Sequence, residues 1–283
     1  RGLGDVYKRQ GRNDMKKIGF FNSKGGCGKT TSLFHIAGVL ADNGMKVLAV
    51  DLDKQGDTTN ALLGEDESEY SDNGKNVLDF FRGDAAFEDV VKKNYTKKIG
   101  CRKPTYVGID VLPYSPKLEN QRLLKEIELS DKMDDFNEYD FVLIDCPPSN
   151  RAIEKIVLEQ LADGILVPMS SDLDSIRGYG ALVDKVDQAR EKNVNLNILG
   201  IYMSMYDGRV GTQRELLSLM RSSFDTFIDV QIPHSAAIVD SKLAGRPISF
   251  YKKTNVKDTM EQLTQEIICL LYTSPSPRDV EES

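Results

Sequence analysis

The chain has 283 residues, with 37 lysines and arginines against 44 aspartates and glutamates, a formal net charge of −7. That balance argues against a uniformly basic nucleic-acid-coating protein, and no stretch approaches the ~20 apolar residues of a membrane-spanning helix. Four scattered cysteines (Cys27, Cys101, Cys146 and Cys269) lack paired spacing, which fits a reducing cytosol and gives no thiolate metal site.

In chain order, residues 1–10 (RGLGDVYKRQ) and 269–279 (CLLYTSPSPRD) come first, because opposite strands of one DNA segment can encode both. That segment resembles a transposase sequencing adapter. Residues 1–14 and 269–283 are therefore expected to be adapter scars around a C-terminally truncated domain at 15–268. Met15 is followed by two lysines and then a strand-like run, so no signal peptide is evident. Residues 18–22 form a short apolar run that ends at a glycine loop. Leu33, Ile36, Ala37 and Leu40 have helical spacing, and Gly44 stands where that helix should stop. Residues 47–50 read as a buried strand, 76–89 as two short helices, and 95–105 as a basic exposed loop. Further strands are expected at 107–112, 141–144, 164–168 and 198–203, with helices at 153–161, 176–192 and 211–224. Apolar strands alternating with amphipathic helices predict an α/β domain: a doubly wound, mostly parallel sheet covered on both faces.

The loop Ser23-Lys24-Gly25-Gly26-Cys27-Gly28-Lys29-Thr30-Thr31 carries the clearest chemistry. Phosphates need clustered backbone N–H donors, a helix N-terminus and a lysine, and glycines let the backbone approach closely. Gly25, Gly26 and Gly28 supply donors, Lys29 reaches the β- and γ-phosphates, and Thr30 offers a hydroxyl to Mg²⁺. Ser23 replaces the first glycine of the strict G-x-x-x-x-G-K-[ST] pattern, and Lys24 adds a second lysine.

Two acidic elements follow. Asp51 and Asp53, two apart on an extended segment, should point together at a metal and water cluster. Asp145 ends the run Phe141-Val142-Leu143-Ile144, where a carboxylate can hold Mg²⁺ through a water, and Pro147-Pro148 stiffens the loop beyond.

With these three elements the chain resembles the ParA-type partition ATPases and their MinD-type and nitrogenase-iron-protein-type relatives. They are P-loop NTPases with a deviant Walker A signature, K-G-G-x-G-K-T-T. The resemblance implies a slow, Mg²⁺-dependent ATP hydrolase that dimerises around two ATP molecules. It gives Lys24 a reach across the dimer to the partner's nucleotide and Asp53 the orientation of the attacking water. Asp51 would help hold the magnesium shell, and Gly25 to Thr31, Cys27 included, would bind the nucleotide. Ile232-Pro233 matches a dipeptide whose backbone lies near adenine in relatives. Ala162 to Pro168, Leu199 to Arg209 (with Ser204 for threonine) and Ala244 to Ile248 extend the match across nearly all of 16–268.

Departures also stand out. Lys54 and Asp57 replace proline and asparagine of D-x-D-P-Q-G-N, and His234 begins a run lacking the arginines often found after the I-P dipeptide. The remaining candidates for DNA contact are Arg209, Arg214, Lys242, Arg246, Lys252, Lys253 and Lys257. The expected function is partition of plasmid or chromosomal DNA by a cytoplasmic, nucleoid-associated homodimer. It would bind DNA non-specifically in the ATP state and be stimulated by a centromere-binding, ParB-type partner. The alternative is a MinD-type ATPase working at a membrane surface.

Overall fold

The computed structural model describes residues 15–64, 75–96 and 102–273. Seven strands form one sheet in the order β3-β4-β2-β5-β1-β6-β7. They are β1 (Lys16–Phe20), β2 (Val47–Asp51), β3 (Lys92–Thr96), β4 (Thr105–Leu112), β5 (Phe141–Asp145), β6 (Gly164–Met169) and β7 (Asn197–Met203). All neighbours pair in parallel except β3, which runs antiparallel to β4 at the edge. The helices are α1 (Lys29–Asp42), α2 (Asp57–Leu63), α3 (Val77–Arg82), α4 (Phe87–Val90), α5 (Gln121–Leu124), α6 (Arg151–Ile156), α7 (Leu173–Ala189), α8 (Gly211–Ser223), α9 (Ala236–Leu243) and α10 (Asn255–Thr273).

The centre of the sheet follows from its sequence. Every residue of β2 and β5 is buried, and successive side chains go to opposite faces. In β5, Val142 and Ile144 enter one apolar cluster while Phe141 and Leu143 enter the other. Burial of each such side chain contributes about 1.5–3 kcal/mol. A strand buried at every position therefore has two layers to fill and belongs in the middle. α1 lies in the second cluster, packed against α10 and the short turn Ile248–Phe250.

Two expectations need correction, the loop at 95–105 and the helix at 153–161. The loop expected at 95–105 is bracketed by strand: β3 reaches Thr96 and β4 starts at Thr105, while 97–101, with Cys101, lies outside the described residues. The helix expected at 153–161 ends as α6 at Ile156 and continues as a π turn, Val157–Leu161. At the C-terminal side, α10 passes through 269–273, and Leu270, Leu271 and Tyr272 pack on the second cluster. The expected scar at 1–14, and residues 274–283 of the one expected at 269–283, lie outside the described residues. No helix among the described residues is long and apolar enough to cross a membrane.

One core residue makes stability pH-dependent. His35 on α1 is fully buried, and its Nδ1 accepts the Ile248 N–H at 3.2 Å. Burial, opposed by a backbone hydrogen bond at Ile238 and helped by the Lys242 charge, lowers its pKa from 6.5 to about 4. The unfolded chain thus takes up a proton that the folded chain refuses. Stability from neutral His35 is complete above pH 6.5 and is lost as pH falls toward 4. Wild type is expected to lose roughly 3 kcal/mol over that window that His35→Gln does not lose. Urea melts of both proteins at pH 7, 5.5 and 4 check this, and parallel curves would refute it.

Candidate active site

The parallel strands direct β1, β2, β5 and β7 to one edge, so the loops after their C-terminal ends meet there. β1 sits where chain connections diverge to either side, the place where open parallel sheets form a crevice. Asp145 pairs in register with Phe20 on one side and Asp51 on the other.

The loop after β1 is pinned by Asn22. Its amide donates to the Pro168 carbonyl at 2.8 Å, and its Oδ1 accepts the Lys24 N–H at 2.9 Å. Gly26 and Gly28 have φ of 74° and 90°, a left-handed conformation that L side chains rarely adopt, and Gly28 starts α1. Ser204 closes the far side: its hydroxyl donates to the Cys27 carbonyl at 2.5 Å and the Met169 carbonyl at 3.2 Å. Lys29 folds back inside the loop. Its ammonium donates to the Asn22 and Lys24 carbonyls at 3.1 and 3.3 Å and is buried. The Cys27 thiol lies 4.0 Å away, with its pKa pushed up by burial. The Cys146 thiol is likewise raised by burial, so neither is a ready nucleophile.

Asp145 is the hub. Its Oδ2 accepts both the Thr30 and the Thr58 hydroxyls at 2.7 Å, while its Oδ1 is buried without a partner. Burial raises its pKa despite these hydroxyls. Thr58 escaped notice in the sequence, although a Thr-Thr pair directly after D-x-D-x-Q-G-D was a readable signal.

The two acids expected to point together are separated. Asp53 faces the cavity and accepts the Gln55 N–H at 3.0 Å. Asp51 lies beneath the loop, fully buried. Its Oδ2 accepts the N–H and hydroxyl of Thr59, both at 2.8 Å, and its Oδ1 accepts the Asp53 N–H at 3.2 Å. Burial, reinforced by the Asp145 charge, pushes its pKa up to about 8. The i, i+2 expectation fails because β2 ends at Asp51 and the chain then turns. Asp51 braces the 51–59 turn.

These elements enclose a cavity of about 410 Å³. Gly25, Gly26, Cys27, Gly28, Lys29, Thr30 and Thr31 line one end, with Asp53, Gln55, Asp57 and Pro148 beside them. Met205, Ile232, Pro233, His234, Ser235 and α9 line the other. Ile232 and Pro233 reach it because the chain after β7 is tied to them: Ile232 N–H donates to Met203 O, and Tyr206 N–H to Ile232 O, both at 2.9 Å.

Lys24 stands apart from that lining. Its ammonium pairs with Asp172 at 2.7 Å, and Asp172 also caps α7 by accepting the Ser175 N–H at 3.0 Å. Burial would raise the Asp172 pKa, but hydrogen bonds from Lys24, Ser170 and Ser175 together hold it at about 2. Asp172 lies too far along the chain for local pattern to reveal it.

The basic candidates do not form a free set. Arg209 pairs with Asp207 at 2.7 Å, and Arg214 donates to the Gly208 carbonyl. Arg246 donates to the Phe250 carbonyl and lies over the Tyr251 ring, and Lys257 donates to the Ser249 carbonyl. Lys253 lies 3.8 Å from Asp258, and Lys242 faces the cavity. Lys252 is exposed. Among the described residues no cluster of three or more His, Cys, Asp or Glu could hold a metal.

A glycine loop between a central parallel strand and a helix, with acids at neighbouring strand tips, defines a P-loop NTPase domain. Residues 15–198 match the family described as AAA domain, and the chain belongs to it. An uncharacterized protein of Mycobacterium tuberculosis is 31% identical, covering 88% of this chain and 77% of its own. The chromosome partitioning protein ParA of Caulobacter vibrioides is 26% identical over 84% of this chain and 88% of its own. Among solved structures, cobyrinic acid a,c-diamide synthase from Mycobacterium smegmatis with bound ATP analog and magnesium superposes with TM-score 0.72. It is 22% identical and covers 89% of this chain and 93% of its own. The cell division ATPase MinD of Pyrococcus furiosus gives 0.69 at 23% identity, covering 91% of this chain and 100% of its own. At these identities the structures establish the shared fold.

Proposed function

We propose that the protein is an ATP-dependent, dimerising switch ATPase for the partition of plasmid or chromosomal DNA. The observation that carries this reading is the convergence of the glycine loop, Asp53 and Ile232-Pro233 on one cavity. A triphosphate would lie along the backbone N–H groups from Gly25 to Thr31, with the base beside Ile232 and Pro233. Lys29 would leave the Asn22 and Lys24 carbonyls for the β- and γ-phosphates. Thr30 and Asp145 would hold Mg²⁺, since hydroxyl and carboxylate are hard oxygen donors and the buried Asp145 Oδ1 lacks a partner. When bound, that ion would offset charge on the phosphates. Asp51 supports the turn in this reading instead of ligating the metal.

Asp53 orients the attacking water, and Lys24 leaves Asp172 to reach the partner's nucleotide in a homodimer spanning residues 15–268 of each chain. The ATP dimer binds DNA through phosphate contacts without sequence preference, in the cytoplasm and on the nucleoid, and a ParB-type partner speeds hydrolysis. The ParA relative supports this reading.

Turnover and DNA retention test it together. Asp53→Ala should lower MgATP turnover about a hundredfold, within the range of a lost water-positioning group, and leave ATP affinity nearly unchanged. Unrelated DNA should be retained only with ATP, weakening with salt at a log–log slope of about −0.9 per neutralised phosphate. No turnover by wild type would remove the enzyme. Retention on anionic vesicles in place of DNA would move the protein to the MinD-type reading.

A further inference from the structure

Lys242 belongs to no phosphate-binding motif of the chain, yet it lines the cavity from α9. Its ammonium faces Asp57, the first residue of α2, with Nζ 3.8 Å from Oδ2. That distance is an ion pair beyond hydrogen-bond range. The Lys242 ammonium donates no hydrogen bond among the described residues. The lysine side chain is 27% exposed and the aspartate 61%, so the cation is sheltered while its counter-ion faces water.

Its position along the cavity follows from two neighbours. Asp57 adjoins Thr58, whose hydroxyl shares Asp145 Oδ2 with the Thr30 hydroxyl. Lys242 therefore stands near the end of the cavity where Thr30 lies in the first turn of α1. The path of α9 agrees: Ser235, at its start, lines the cavity with Ile232 and Pro233, and Lys242 lies ~10 Å further along the helix axis. The helix runs from the end assigned to the base toward the end assigned to the phosphates.

We propose that Lys242 is a further nucleotide-binding residue, an ammonium that α9 brings to the β- or γ-phosphate and that Asp57 holds until the nucleotide arrives. This rests on the nucleotide reading of the cavity. The exchange is favourable because a phosphate offers a charge-assisted hydrogen bond at about 2.7–2.9 Å inside a sheltered cavity, where Asp57 offers a longer, wetter contact. It also frees Asp57, so that filling the cavity releases the start of α2 and the 53–57 turn that carries Asp53. An ordinary surface ion pair predicts none of this. Replacing either partner would then alter stability slightly and affinity not at all.

Calorimetric titration of ATP, ADP and AMP with Mg²⁺ into wild type, Lys242→Met, Asp57→Asn and the double variant decides. Lys242→Met should weaken ATP and ADP about tenfold, the loss of one charge-assisted hydrogen bond, and AMP much less. Lys242→Arg should retain most of the affinity. Asp57→Asn should tighten ATP severalfold, and that gain should vanish when Lys242 is also replaced. An unchanged ATP affinity in a normally melting Lys242→Met protein would overturn the proposal, as would an Asp57→Asn gain that survives in the double variant. If Lys242→Met unfolds, Asp57→Asn alone decides, and no tightening overturns the proposal. Failure of wild type to bind ATP would instead defeat the nucleotide reading itself.

Discussion

Replacing Lys29 by alanine is expected to weaken MgATP binding at least about a hundredfold, the largest loss any single side chain of the cavity should cause. The ammonium is buried inside the loop and already donates to two carbonyls, Asn22 and Lys24, at 3.1 and 3.3 Å. A bound triphosphate replaces these neutral acceptors with ionised oxygens. Two charge-assisted hydrogen bonds, at ~1.5–3 kcal/mol each, account for at least ~3 kcal/mol of affinity. Arginine should not rescue, because its planar fork is wider than an ammonium and the loop interior is already closed by Cys27 and Ser204. Removing Lys29 also leaves the two carbonyls without this donor, so the empty protein should lose about 1–3 kcal/mol of stability. Calorimetry at a temperature well below the melting point separates the two effects. A loss of tenfold or less would mean that the backbone N–H groups carry phosphate recognition almost alone.

The contrast between Lys29 and Lys242 shows which parts of the site a sequence can reveal. Lys29 lies within 7 residues of each carbonyl that its ammonium meets, so local pattern suffices. Lys242 meets Asp57 only after the chain has folded, as Lys24 meets Asp172. The sheet was legible for a related reason. Strands buried on both faces, such as β5, whose residues 141–144 are all apolar before Asp145, stand out from amphipathic helices. β3 was not legible, because an edge strand reading Lys-Lys-Asn-Tyr-Thr exposes Lys93 and Tyr95 and has the polarity of a loop. Asp51 shows the opposite fault, a periodicity carried too far. Strand geometry places residues two apart on one face only while the strand lasts, and here it stops at the first acid.

Gly38→Ala should destabilise the protein by roughly 1–3 kcal/mol even though alanine is the better helix former. Gly38 lies inside α1, and a Cβ built there falls 2.1 Å from Cβ of Pro247 and 2.9 Å from Oγ of Ser249. The helix-propensity gain is only about 1 kcal/mol, and a proline ring cannot rotate away as a flexible side chain could. Relief therefore requires moving the Pro247–Phe250 segment off α1. That movement pulls the Ile248 N–H away from His35 Nδ1 and disturbs the turn against which α10 packs. Because α1 begins at Lys29 and α9 leads into the same segment, the shift should reach the cavity from both sides and weaken nucleotide binding as well. Gly180 is the matched control: it is helical, exposed, and has nothing within 4 Å of its built Cβ. Gly180→Ala should raise stability by up to about 1 kcal/mol and leave affinity alone. Thermal melts of the two variants should thus move in opposite directions by a few degrees, roughly 2–4 °C per kcal/mol. Equal upward shifts would mean that the Pro247 segment yields freely and that α1 is not clamped at Gly38.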